Sequence, residues 1–515
     1  MPGIVINEDN SHYYFDRGPH GANEEKMREM ARHYCQSQTA EVIYNLNSMR
    51  SNIDGLPFEP VWFEVEDRGS EGMFYRGKQL PDKTCNWIRG AKTAADAGLD
   101  PYRIWIDETR KLGRAAGISI RMNDIHCVDD ENSFMHSEFW RKTPGFRREP
   151  GGLFHGWDSA ALDFARQEVC DYAFSMVEAV LNRYDMDTLE LDWMRFGHSV
   201  RPGFEDAGRI MLTEFQVRVR EAARKREAEL GRRITIAVRC PAMPQEAFDM
   251  GYDVIGWAQS GLIDRVVPCP FFSSTDFDIP IAFWRRILPA GFPLEAGLEL
   301  RVWPGHSWSD FIVESPATLC AQAANYLAQG ADRIYLFNHM DSDTTMPAGY
   351  NEIFDLVGSL ETASAHERRH IITYHDRKAP GSTTSNLLPL TCRANGYSDY
   401  LRIELGPAPE PGRKCDLVIG TDAEADLVPV LNGVELTLAH TEVNRKVEAK
   451  GNALGGFASL QKIPMSSKMI YSFDASEAVK SGRNVFWFRS RSEKDVSVTW
   501  AEICIAGKQE LLRTT

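Results

Sequence analysis

The chain has 515 residues, 43% hydrophobic and 25% charged, a globular composition that excludes disordered, collagen-like and small disulfide-stapled classes. Lys and Arg total 58 against 73 Asp and Glu, and the formal charge of −15 disfavours nucleic acid and anionic membranes as partners. The opening residues lack a basic segment followed by an apolar stretch, and no apolar run reaches bilayer length. Ten cysteines are scattered without a CxxC pair, so reduced thiols and a cytoplasmic setting are expected.

In chain order, the candidate strands are AEVIYNL from Ala40, EPVWFEV from Glu59, GISIRMN from Gly117 and DTLELDWM from Asp187. RITIAVR from Arg233, IDRVVPC from Ile263, FPLEAGLEL from Phe292 and DRIYLFNH from Asp332 follow. Amphipathic stretches separate most of them; Val169, Tyr172, Ala173, Met176, Val177 and Val180 form one apolar stripe at helical spacing. Eight strand–helix units with long insertions after strands two and three predict an α/β fold, a (β/α)8 TIM barrel over 1–375. A doubly wound sheet is the alternative, but no Gly-rich phosphate turn follows the first strand. DRKAPGSTTSNLLP, from Asp376, reads as a linker. Short alternating runs and the Asn432-Gly433 turn then predict a small all-β sandwich over 376–515.

Barrels of this kind carry their active sites at the C-terminal ends of the strands. On strand four, Glu190 and Asp192 share a face while Leu189, Leu191 and Trp193 share the other, so both carboxylates are expected to point inward. Burying them is costly unless they are paired or used, and Arg121, Arg195 and Arg239 are candidate partners. Strand seven offers Glu299 near the rim beside Arg301, and the loop after strand six offers Asp276 and Asp278. The rest of the rim is polar and aromatic: Asn45, Asn47, Asn123, His126, Asn338 and His339, with His136, Trp140, His155, Trp157, Trp303, His306 and Trp308 on loops. Flat rings beside amides, carboxylates and guanidinium groups suit sugars, which present an apolar CH face and an edge of hydroxyls.

His366-Glu-Arg-Arg-His370 matches the H-E-x-x-H spacing of zinc-protease helices. It is expected on the final barrel helix, remote from the mouth, with two arginines repelling a dication and no suitably spaced third ligand. It reads as a solvated helix face, and the acidic run His126–Glu131 as a loop. No metal or cofactor is implied.

SIRMNDIH, the loop containing HSEFWR, and LELDWMRF resemble the glycoside-hydrolase-like barrel proteins widespread in bacterial genomes, distantly similar to family 10 and α-galactosidase-type barrels. The resemblance covers most of the chain, and the C-terminal module resembles the β-sandwich that often follows such barrels. It implies a carbohydrate-active enzyme in which Asp192 matches the strand-four carboxylate. The expected activity is glycosidic-bond hydrolysis, with Asp192 as nucleophile or base, Glu299 as acid and Asp276 as its runner-up. Glu190, Arg121, Asn123, His126, Asn47, Trp193, Arg195, Arg239, Trp303 and Asn338 are expected to hold an oligosaccharide. Self-association into a homo-oligomer is compatible with this reading. The alternatives are a sugar-binding barrel without turnover and a polysaccharide lyase whose three arginines hold a uronate.

Overall fold

The computed structural model describes residues 3–9, 11–149, 157–270, 274–305, 310–340, 350–375, 378–447 and 461–507. Its first body is a parallel eight-stranded barrel: β1 (Ile4–Glu8), β2 (Thr39–Asn45), β3 (Ala115–Arg121), β4 (Thr188–Asp192), β5 (Thr235–Pro241), β6 (Arg265–Cys269), β7 (Glu295–Leu298) and β8 (Arg333–Phe337). Strand order runs β7-β8-β1-β2-β3-β4-β5-β6, and a parallel bridge between Val266 and Leu294 closes the ring.

One expected barrel strand is replaced by another. The first barrel strand is Ile4–Glu8, absent from the sequence reading, and EPVWFEV is not a barrel strand at all. Only Val65–Asp67 of that region is extended, in a three-stranded antiparallel sheet separate from the barrel. A parallel barrel strand must be buried on both faces. All five residues of β1 meet that condition, whereas Phe63 is 37% exposed and Glu64 takes a positive φ.

Alternation sorts the strand side chains into two cores. Ile4, Ile6, Val42, Tyr44, Ile118, Ile120, Leu189, Leu191, Ile236 and Val238 face outward into one large cluster with the helices. Val5, Ile43, Val267, Tyr335 and Phe337 form a separate small cluster inside the ring. The remaining interior is polar. At the N-terminal end, Arg265 donates to Glu41 at 2.5 Å, to Glu295 at 2.8 Å and to the Thr188 hydroxyl at 2.8 Å, with Arg333 beside them. That ion cluster plugs the bottom of the barrel.

The C-terminal body is a sandwich of a six-stranded and a four-stranded antiparallel sheet. Its core holds Leu401, Ile403, Leu417, Ile419, Phe486, Phe488, Val498 and Ile503 from alternating strand positions. The Asn432-Gly433 turn joins Leu427–Leu431 to Val434–Glu435, and both turn residues have the positive φ that a two-residue hairpin needs. The H-E-x-x-H run also needs correction. The last barrel helix ends at Ala365, and Arg368–Ile371 is a strand of the six-stranded sheet paired with Val496–Ile505. His366 and His370 therefore share no helical face.

The helix Pro316–Gln329 lies between the two bodies. A Ser315–Thr318 capping box opens it, and its alanines leave it buried on all sides. Gly406 of the sandwich loops closely onto it; a Cβ there would meet the backbone of Ala324 and Asn325 at 2.7–2.8 Å. Nearby, Trp500 is fully buried among Phe277, Val302, Ile312 and Ala321 of the barrel and Ile371, Ile463 and Ile470 of the sandwich. Trp500→Ala should cost about 3–5 kcal/mol of stability, read as a lowered thermal midpoint with barrel and sandwich unfolding together. A midpoint within a degree of wild type would show that this seam contributes little.

Candidate active site

Strand register brings the first site residues together. Arg121, Asp192 and Arg239 are neighbours at the ends of β3, β4 and β5, all on the inward face. The Arg239 guanidinium donates to Asp192 Oδ2 at 2.6 Å, and the Met194 N–H donates to Oδ1 at 3.0 Å. Arg239 also stacks on Phe337 of β8, 3.7 Å from the ring centroid, and Arg195 approaches the same ring at 5.3 Å. One residue pair deeper, Glu190 reaches across the barrel and accepts from Asn7 of β1 at 3.0 Å and Tyr335 of β8 at 2.8 Å. Burial pushes the Glu190 carboxyl up to about 7, with Asp192 adding to the rise and Arg239 opposing it.

A second chain of contacts runs along the rim. Arg121 pairs with Asp9, just beyond β1, at 2.5 Å and with Asp124 at 3.4 Å. Asp124 accepts from Nδ1 of His126 at 2.8 Å, and Arg195 donates to Nε2 of the same ring at 3.1 Å. With Arg195 donating to Nε2, the ring N–H that faces Asp124 is the one on Nδ1. Burial would raise Asp9 and Asp124, but the facing cations outweigh it: Asp9 is held well below the carboxylate range and Asp124 at about 2. Burial, reinforced by Arg121, lowers Arg195 to about 10.

Glu299 follows β7 directly. Its two oxygens accept from Nδ2 of Asn338 at 2.9 and 3.0 Å, and Oε1 also accepts from the Leu300 N–H at 2.9 Å. Burial drives this carboxyl up to about 7, although those hydrogen bonds and the charges of Arg195 and Arg301 pull the other way. Arg195 and Glu299 act on each other, and Asp192 acts on Arg121, so both carboxyls belong to one electrostatic cluster.

Other expected residues take different positions. Asp276 turns its carboxylate to His375, at 2.9 Å, and Asp278 pairs with Arg402 of the sandwich at 2.6 Å. Trp193 faces outward, packed edge-on against Phe164 and Phe215 under the helices, because it occupies the leucine-side parity of the strand. Asn47 bonds both backbone groups of Arg121, at 3.0 and 3.1 Å, and Asn123 bonds the backbone of Leu162 and His198. Their amides thus fix strand and loop ends; the direct sugar contact expected of Trp193, Asn47 and Asn123 does not fit these positions. Trp303 is buried against Phe311, with its backbone bonded to Ser274 and Tyr374. His155, the Trp157 side chain, His306 and Trp308 lie outside the described residues. The sequence reading missed Asn7, Asp9, Tyr335 and Phe337. The first two sit on or beside the unread strand, where the apolar triplet Ile4-Val5-Ile6 followed by Asn-Glu-Asp was the available signal.

No protein-family model and no curated protein sequence matches the chain. Among solved structures it is similar to α-L-fucosidase isoenzyme 2 from Paenibacillus thiaminolyticus, at 13% identity and TM-score 0.42, over 69% of this chain and 48% of that one. It is also similar to the GH36 α-galactosidase AgaB from Geobacillus stearothermophilus, at 15% identity and TM-score 0.33, over 95% of this chain and 55% of that one. A cycloisomaltooligosaccharide glucanotransferase from Paenibacillus sp. aligns at 9% identity and TM-score 0.30, over 97% of this chain and 57% of that one. The chain spans about half the length of these proteins.

Among the carboxyls that burial raises, Glu190 and Glu299 reach about 7, and Glu314, beside Gln322 near the seam, about 8. A carboxyl raised by folding contributes stability that is complete below its unfolded value near 4.5 and lost as pH climbs through its folded value. The thermal midpoint should therefore fall, on the order of 5 °C, between pH 5 and pH 8. Glu190→Gln keeps an acceptor for Asn7 and Tyr335 and removes the titration, so its curve should be flatter. Parallel curves for the variant and the wild type would show that Glu190 is ionised at all these pH values.

Proposed function

We propose that the chain hydrolyses a glycosidic bond with Asp192 as nucleophile or base and Glu299 as acid. One observation carries this reading: at the same end of the barrel, one carboxyl is ion-paired with an arginine while the other is buried on an amide and a backbone N–H, and burial raises it to about 7. Two carboxyls with opposed environments are what acid–base division of labour at a glycosidic bond requires. Glu299 gives its proton to the leaving-group oxygen as the C–O bond breaks. Asp192, fixed by Arg239 and the Met194 N–H, meets the positive charge that develops at the anomeric carbon. In a retaining cycle, the course favoured by the resemblance at Asp192, an Asp192 oxygen bonds the anomeric carbon as the leaving group departs; water then attacks that carbon, gives its proton to deprotonated Glu299 and releases Asp192.

His126, with 31% of its side chain exposed, and Arg195 beside it are assigned to the sugar hydroxyls. Asp276 is left out of the acid role because His375 holds its carboxylate. The lyase reading is weaker for a similar reason: Arg239 is committed to Asp192, and Arg121 to Asp9 and Asp124. No helix among the described residues is long and apolar enough to cross a membrane. All ten cysteines are free, which supports placing the proposed activity in the reducing cytoplasm.

The test is a panel of aryl glycosides and oligosaccharides, with product anomers followed by NMR. Asp192→Asn should lower kcat by about 10³-fold or more on every substrate. Glu299→Gln should lose about 10²–10⁴-fold on poor leaving groups and little on activated aryl ones, which need no proton. Equal losses across leaving groups would remove Glu299 from the acid role. Ligand protection without turnover would favour the sugar-binding barrel, and an ultraviolet-absorbing unsaturated uronate would favour the lyase.

A further inference from the structure

We propose that Asn338 is a positioning residue that aims and holds the Glu299 carboxyl for proton transfer, an inference that rests on Glu299 being the acid. Alternation along β8 puts Tyr335 and Phe337 inside the barrel, so an extended residue 338 would point toward the helices. The chain instead turns left-handed there, with φ at +62°, and swings the amide back to the inner rim. Asn is among the few residues with a side chain that enter this region at low cost, which accounts for its presence at the end of the strand. The side chain is buried, and its Nδ2 lies 2.9 and 3.0 Å from the two Glu299 oxygens.

Among the described residues, the side-chain hydrogen bonds to the Glu299 carboxyl come from Asn338. The near-equal distances favour neither oxygen, so the grip persists whether the carboxyl carries its proton or has lost it. The other groups facing Glu299 act differently. The Leu300 N–H bonds Oε1 alone, Arg195 and Arg301 act through charge, and the His339 imidazole faces the Glu299 backbone. The Thr275 hydroxyl accepts the Glu299 N–H at 3.2 Å. A donor aimed at both oxygens stabilises the ionised form, so its loss makes the acid hold its proton to higher pH.

Asn338→Gly separates aiming from folding, because glycine keeps the left-handed turn and removes only the amide. The expected result is a thermal midpoint near wild type, kcat down about tenfold, KM within about twofold, and the alkaline limb of kcat/KM moved up by about one pH unit. Asn338→Ala should show the same limb with an added stability loss from the strained turn. A substrate-free readout is the pH dependence of the thermal midpoint, taken as the difference between Asn338→Gly and its double variant with Glu299→Gln. That difference should extend to higher pH than the difference between wild type and Glu299→Gln. A raised KM with an unmoved limb would make Asn338 a substrate ligand, and coincident midpoint differences would overturn the positioning role without any substrate. Full activity in Glu299→Gln would instead sink the acid assignment itself, and the proposal with it.

Discussion

The Asp192–Arg239 ion pair, at 2.6 Å with both side chains almost wholly buried, is the interaction on which the barrel's C-terminal end depends. Neither charge is tolerable there alone; removing one partner of such a pair typically costs about 3–5 kcal/mol. The pair also organises its surroundings. Arg239 lies flat on Phe337, Phe337 approaches Arg195, and Arg195 bonds His126, which Asp124 orients and Arg121 joins to Asp9. Groups from β1, β3, β4, β5 and β8 are thereby held in one rigid rim before any ligand arrives. Preorganisation of this kind lowers a barrier without a reorganisation cost at the moment of reaction.

Glu299 stands apart from that chain of ion pairs. An amide and a backbone N–H bond its oxygens, and Arg195 and Arg301 act on it through charge. Desolvation therefore dominates and raises this carboxyl, whereas Asp192 is paired with a cation. The same barrel end thus pairs one carboxyl with a cation and bonds the other to neutral donors.

The sandwich contributes to this arrangement through the seam. His375 and Arg402 hold Asp276 and Asp278 on the loop after β6, and Thr275 of that loop bonds the Glu299 N–H and the Arg301 carbonyl. The backbone that carries Glu299 is consequently braced by a loop anchored to the second body. Glu246 of the barrel adds to the seam by accepting from the Ala379 N–H and from the Ser382 and Thr384 hydroxyls, so the turn-rich stretch after the barrel is docked and not a free tether.

Period-two alternation made the inward face of β4 legible from the sequence, because Leu189 and Leu191 had to meet the helices and so sent Glu190 and Asp192 the other way. Composition and turn residues likewise marked the barrel and the sandwich, down to the Asn432-Gly433 hairpin. The sequence left β1 unread, since Ile4, Val5 and Ile6 are apolar on both faces and carry no alternation to detect, and with it Asn7 and Asp9. It also cannot say which inward groups meet. Whether an arginine faces Asp192, or an amide faces Glu299, depends on strand register and on a left-handed residue at the end of β8. Local pattern determined the elements and their faces because those follow from neighbours along the chain. Tertiary structure alone decided the partners, and with them each carboxyl's proton affinity, because burial and pairing are set by residues more than a hundred positions apart in some pairs, such as Asn7 and Glu190.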